Sequence, residues 1–309
     1  MVRPSIHLNW LLTLVLILLV LSSFACTPQP EDVAVVGEVT ITAEDVAYRQ
    51  AVVAVRSGEA FSAHLALLQL IEEALMAEVG RTYSVVVSEE ILAEEAERVK
   101  ETSRDPETLA RIRAVFDDDE TAYRHLVLEH ILVNQLLHAR FSLGHDIQAE
   151  PLARAKEVLA AAQIDPTSMP ELAEKYGGEY RQLQVINGRL SSGEEPQEEE
   201  FIPVLAQFNL EYPDYDQQFV DQVVIGLEVG EFHPEVVEDR SSFMIVHLVS
   251  RNGEDALLES IVIAKLAFDP WYQTQSQRVT LVILDQVLKE TLLTDVNVPY
   301  ITDRVSDQQ

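Results

Sequence analysis

Three histidines, His125, His130 and His138, fall in one apolar-periodic stretch, and histidines sharing a helix are where a metal site or proton shuttle would be sought. The run His125-Leu-Val-Leu-Glu-His130 superficially matches the inverted zinc-protease pattern H-x-x-E-H but has one residue too many. A five-residue step on a helix turns the two imidazoles well apart. These read as surface or interface histidines, with no metal site. His145 reads as a loop histidine and is the weak candidate for an active-site imidazole. The carboxylates of Asp117–Asp119 and Glu198–Glu200 read as a helix cap and a solvated face. No G-x-S-x-G, phosphate-cradling glycine loop or calcium loop is found, so no cofactor is expected. Cys26 is the only cysteine, so if it carries a lipid no thiol remains for a disulfide, a cysteine–zinc site or a cysteine nucleophile.

The position of that cysteine bears on where the chain resides. Arg3 is the only charge before an apolar run, Leu8–Leu21, which is followed by Ser22-Ser23-Phe24-Ala25 and Cys26. A charged start, a short apolar core and small residues form a secretory signal. The fourteen-residue core is shorter than the ~20 residues that span a bilayer comfortably. The segment resembles a bacterial lipoprotein signal, in which a small residue precedes a cysteine that is lipidated and becomes the mature N-terminus. Ala25 and Cys26 fit this pattern, while Ser23 stands where that family usually has leucine. The resemblance implies lipid attachment at Cys26, with 1–25 a signal peptide and 26–32 a tether. The other reading is an uncleaved anchor over Leu8–Ala25. Either way an extracytoplasmic, membrane-anchored protein is expected, in the periplasm or at the cell surface.

Charge excludes other partners. The chain has 22 basic and 52 acidic residues; without Met1–Ala25, which carries only Arg3, 21 basic remain against 52, a net of −31. Nucleic acid and anionic lipid would be repelled. The acidity suits solubility or a saline habitat and names no partner. About 280 mature residues can bury two cores.

The first half reads as mostly helical. Val33–Val36 and Val39–Ile41 form two short strands around a Gly37-Glu38 turn, and Thr42–Asp45 forms a capping box. Helices follow over about 63–79, from Ser88 to about Lys100, from Asp105-Pro106, and from Asp117–Glu120 to about Arg140. After His145 the pattern mixes. Helices are expected at about 151–162, 170–176 and 219–227, with an exposed loop at 188–200. Strands are expected at 236–237, 243–249 and 261–268, a helix over 275–293, and a closing strand at 296–301.

These pieces resemble, in order, the SurA- and PrsA-type extracytoplasmic chaperones. Val33-Ala-Val-Val-Gly-Glu-Val-Thr-Ile-Thr42 is similar to their opening strand–turn–strand. Leu67-Leu-Gln-Leu-Ile-Glu-Glu-Ala-Leu75 and Val87-Ser-Glu-Glu90 are similar to the helices that follow, and Ala267-Phe-Asp-Pro-Trp271 to a C-terminal segment that packs back on the N-terminal domain. Glu171-Leu-Ala-Glu-Lys-Tyr176, Leu227-Glu-Val-Gly-Glu231 and Phe243-Met-Ile-Val-His-Leu248 are similar to segments of a parvulin (PpiC-type) prolyl isomerase domain. The resemblance implies an α+β fold: a mostly helical SurA-like domain at 33–147, an inserted small parvulin-like α/β domain at 148–253, a strand and helix at 254–303 completing the first domain, and a tail at 304–309.

The departures concern catalysis. Met244 stands where the family's floor histidine is expected, or Phe243 if no residue is inserted in the hairpin. The pocket phenylalanine falls at Val220, with Phe219 one residue away. The "GGDLG" segment is absent from Gly177–Gly193, and the first-strand "HIL" has only His145-Asp-Ile147. The resemblance thus implies a chaperone or foldase whose helical domain, built from Val33–Arg140 with Gln275–Ile301, cradles unfolded or nascent exported polypeptides, beside a parvulin-like module without matching catalytic residues. The alternatives are an active isomerase with a nonstandard site and a non-enzymatic scaffold lipoprotein. A Cys26→Ala chain is expected to take up no labelled fatty acid in cells that label the parent; continued uptake would refute lipidation at Cys26.

Overall fold

The computed structural model describes residues 31–117, 119–190 and 219–295. The leader, Cys26, the 296–301 strand and most of the 188–200 loop lie outside them. No helix among the described residues is long and apolar enough to cross a membrane. The fold is α+β, with two antiparallel sheets, and divides into two compact units: Met1–Ile71 with Thr280–Gln309, and Glu72–Val279.

In the first unit β1 (Asp32–Val36) turns at Gly37, whose φ is +58°, into β2 (Val39–Thr42). Thr42 then caps α1 (Ala43–Ser57). Its hydroxyl accepts from the Asp45 N–H, while the Asp45 carboxylate accepts from the Thr42 N–H at 2.8 Å. This is the capping box expected from sequence. The other edge of β1 pairs antiparallel with β8 (Leu281–Ile283), in the order β2-β1-β8. Val33, Ala34, Val36, Ile41, Leu281 and Ile283 are buried. α10 (Gln286–Asp295) follows, its first turn held by the Asp285 carboxylate accepting from Leu288 N–H at 3.0 Å.

The expected 275–293 helix is therefore replaced by α9 (Phe268–Ser276), β8 and α10. The apolar residues at 279, 282, 283 and 287 satisfy helical spacing, but β-branched Val282 and Ile283 supply the second edge of β1 instead. The unit boundary falls within α2 (Ala63–Thr82).

The second unit begins with helices whose starts are all side-chain capped: α3 (Glu89–Thr102) by Ser88, α4 (Pro106–Ala114) by Asp105, and α5 (Glu120–Tyr123) by Asp119. A π-helical segment, Arg124–Glu129, joins α5 to α6 (His130–Leu143). α7 (Ala149–Ile164) and α8 (Met169–Tyr176) precede a five-stranded antiparallel sheet. Its order is β4-β3-β7-β6-β5, from β3 (Glu179–Ile186), β4 (Arg189–Leu190), β5 (Val237–Glu238), β6 (Ser242–Asn252) and β7 (Asp255–Ala264). The boundary expected between 253 and 254 falls in the tight β6–β7 turn, so β7 is a central strand of this sheet rather than part of a C-terminal segment. His145–Ile147 is turn, not a first strand.

Alternation along β6 sorts its side chains to two faces. Phe243 and Ile245 join Ile261 and Ile263 of β7 under Val158 and Leu159 of α7 and Met169 and Leu172 of α8. Val246 and Leu248 face the other way, with Val185, Leu258 and the π-helical turn Val220–Val224. Gly178, between α8 and β3, marks a close approach: a Cβ there would lie 2.6 Å from Ile263 Cδ1 and 3.0 Å from the Val262 oxygen. Gly178→Ala is accordingly expected to destabilise the chain by about 1–3 kcal/mol in urea unfolding. An unchanged midpoint would contradict the close packing.

Candidate functional site

A helix ends with carbonyls that lack intrahelical partners. At the end of α6 two side chains supply them. Lys265, just past β7, donates from Nζ to the Ser142 oxygen at 2.6 Å, and the fully buried Gln148 donates from Nε2 to the Phe141 oxygen at 3.0 Å. Gln148 also accepts from the Leu266 N–H at 2.9 Å, so one amide ties α6 to the strand end. α9 reinforces this junction: Trp271 lies 4.9 Å from Phe141 and from Tyr83, and Phe268 stacks on His138 at 3.6 Å between ring centres.

The Lys265 side chain is only 2% exposed, and a buried ammonium needs a counter-charge. Glu238 of β5 supplies it, with Oε1 at 2.8 Å from Nζ; the Phe243 ring lies 4.9 Å from the same nitrogen. The other oxygen of Glu238 lies 2.7 Å from Nε2 of His145. Lys265, Glu238 and His145 thus form a chain running from the interior to an exposed imidazole. Beside it lies a cleft of about 390 Å³. Leu152 and Leu159 of α7, Phe243 and Val236 give it apolar walls, and His145, Lys156, Glu235 and Glu238 line it as well.

The residues singled out in sequence are divided between two places. Val220 and Met244 pack into one apolar cluster with Val223, Val224, Val246 and Leu258. Phe243 belongs to the opposite face, where it shares the cleft with His145. Of the two candidates for the floor-histidine position, it is thus Met244 that joins Val220. The thioether, aliphatic and phenyl side chains of that cluster, Phe219 among them, offer no proton to a polar substrate. Among the described residues the three helical histidines go to separate partners. His125 lies 2.6 Å from both Glu89 and Glu129, His130 lies 3.7 Å from Glu73, and His138 stacks on Phe268.

A second polar row, unnoticed in the sequence, crosses the face shared by Phe243. The Tyr180 hydroxyl donates to Glu259 at 2.6 Å, and Glu259 lies 3.5 Å from Nδ1 of His247, which stacks on Phe232 at 4.5 Å. Burial and the Glu259 carboxylate hold the Tyr180 hydroxyl above the usual tyrosine range. Only the β3–β7–β6 register brings these residues together; the alternation of His247 with Val246 and Leu248 was the available signal. No family model matches the chain, and no curated protein matches it.

Two helical histidines are set to opposite sides of the ordinary imidazole value. Burial opposes charging of His125, but Glu129 and Glu89 outweigh it and raise its pKa. Burial dominates at His138 and lowers it, against the pull of Asp269. His125 therefore favours the fold below the ordinary value of about 6.5, and that contribution fades as pH rises through its raised pKa. His138 favours the fold above that value and loses the contribution as pH falls through its lowered pKa. Ring resonances followed by NMR are expected to titrate His138 before His125 as pH rises, with Glu129→Gln lowering the His125 midpoint. The reverse order would contradict both environments.

Proposed function

We propose that the chain is a membrane-anchored extracytoplasmic chaperone of SurA/PrsA-like organisation that binds unfolded or nascent exported polypeptides, with a parvulin-like module that does not catalyse isomerisation. The observation that carries the non-catalytic half is the joining of Met244 and Val220 in one apolar cluster. Turning an X–Pro bond requires no covalent step, yet the amide must cross a barrier of ~18–20 kcal/mol. A catalyst has to bind the twisted amide better than either planar form, through polar groups aimed at it. Polypeptide binding needs less: apolar surface and backbone hydrogen bonds.

The ordered sequence resemblance over 33–301 supports the chaperone half. The pairing of β8 with β1 agrees with a C-terminal segment returning to the N-terminal one. A second reading, an isomerase with a nonstandard site, is favoured by one observation: His145 and Phe243 line a common cleft. The two readings separate experimentally. The purified mature chain at equimolar ratio is expected to slow aggregation of an unfolded client, while proline-peptide isomerisation stays within about twofold of the uncatalysed rate. No protection would refute the chaperone reading. Acceleration of tenfold or more, abolished by His145→Ala, would establish the isomerase instead.

A further inference from the structure

We infer that the cleft between α7 and the segment Pro234–Glu238 is a seat for an apolar side chain of an extended polypeptide in which a cationic residue flanks that side chain. The inference rests on the chaperone reading and assigns it a place: the α7 face of the sheet, opposite the cluster of Val220 and Met244.

Size and lining set the apolar half of the ligand. About 390 Å³ lies at the small end of ligand clefts and suits one or two side chains rather than a helix. Leu152, Leu159, Val236 and Phe243 offer nothing to a charged group placed deep inside. One wall runs into β5, an edge strand of the sheet, and an edge strand offers backbone donors and acceptors to an extended chain. This favours a polypeptide over a compact small molecule.

The rim sets the charge. A carboxylate only accepts hydrogen bonds, and Glu238 turns one oxygen to Nε2 of His145 and the other to Nζ of Lys265. Lys265 is consumed by Ser142 and Glu238. The exposed carboxylate of Glu235 adds a negative charge, and Lys156 on α7 is the opposing cation. An acceptor-rich rim on a chain of net charge −30 complements an N–H-rich, cationic neighbour of the seated side chain.

Both charged rim residues are exposed, so their reversal leaves the core intact. The test compares fluorescently labelled Lys-Leu-Val-Leu-Lys and Glu-Leu-Val-Leu-Glu peptides, with blocked termini, by anisotropy on the full mature chain. The lysine peptide is expected to bind more tightly. Glu235→Lys should weaken it about three- to tenfold, as exposed charge pairs allow, and Lys156→Glu should tighten it. Glu254→Lys, the same charge change at the β6–β7 turn, should leave it within twofold. Equal affinity for both peptides, or equal effects of the 235 and 254 variants, would overturn the inference. A chain that protects a client from aggregation yet gives those outcomes keeps its chaperone function and loses this seat. A chain that gives the expected peptide pattern but protects no client keeps the seat as a peptide site and loses the chaperone reading.

Discussion

Burial of the Lys265 ammonium constrains the whole second unit around the cleft. A charge with a side chain 2% exposed is tolerated only when its donors are used and its field is answered. Ser142, Glu238 and the Phe243 ring meet those needs from α6, β5 and β6. These groups come from distant parts of the sequence, so they converge only when α6 ends where it does, β7 ends at Ala264, and β5 is docked on β6. Removing one member of such a buried pair costs about 3–5 kcal/mol, because the group left behind is stranded. The same ammonium complements the negative end of the α6 dipole. One side chain therefore caps a helix, neutralises a carboxylate and fixes the edge strand that forms a cleft wall.

The sheet then separates two environments by one residue step. Phe243 and Met244 are neighbours in sequence, yet one packs under α7 and α8 and the other beside Val220. A shift of one residue in register would exchange them. The register is secured by the long β6–β7 hairpin, whose irregularity falls between Leu248 and Ser250, beyond the residues that line the cleft. Chemistry on the two faces is correspondingly different. The Met244 face gathers apolar side chains, Phe219 among them, whereas the Phe243 face carries the Lys265–Glu238–His145 chain and the Tyr180–Glu259–His247 row.

How much of this was legible in the sequence follows from how local each determinant is. Thr42 with Asp45, Ser88, Asp105 and Asp119 announce helix starts because a cap bonds to residues two or three positions on. The strand at 281–283 was hidden because its apolar residues fit a helical stripe equally well, and its partner β1 lies some 250 residues away. The cleft was half visible. His145 and Phe243 were both singled out, for different reasons, without a link between them. Lys265 and Glu238 were missed, since neither resembles anything but a surface charge until the strands are paired. A lysine closing the apolar run Ser260-Ile-Val-Ile-Ala264 was the one local hint that a strand end had to accommodate an ammonium.

The His145 arrangement also bears on the difference between binding and catalysis. An imidazole that serves isomerisation must meet the amide as it twists, aimed by a rigid shell. The His145 side chain is 62% exposed and is held by a single carboxylate that is itself engaged by Lys265. That arrangement orients a ring at the rim of an apolar hollow without excluding water from it. Electrostatic discrimination between planar and twisted amides weakens sharply when water reaches the site. An apolar side chain entering the same hollow gains from displacing water whatever the torsion of its backbone. On the proposed reading such a cleft favours occupancy over a change of amide conformation, which is the physical distinction between a holdase seat and an isomerase pocket.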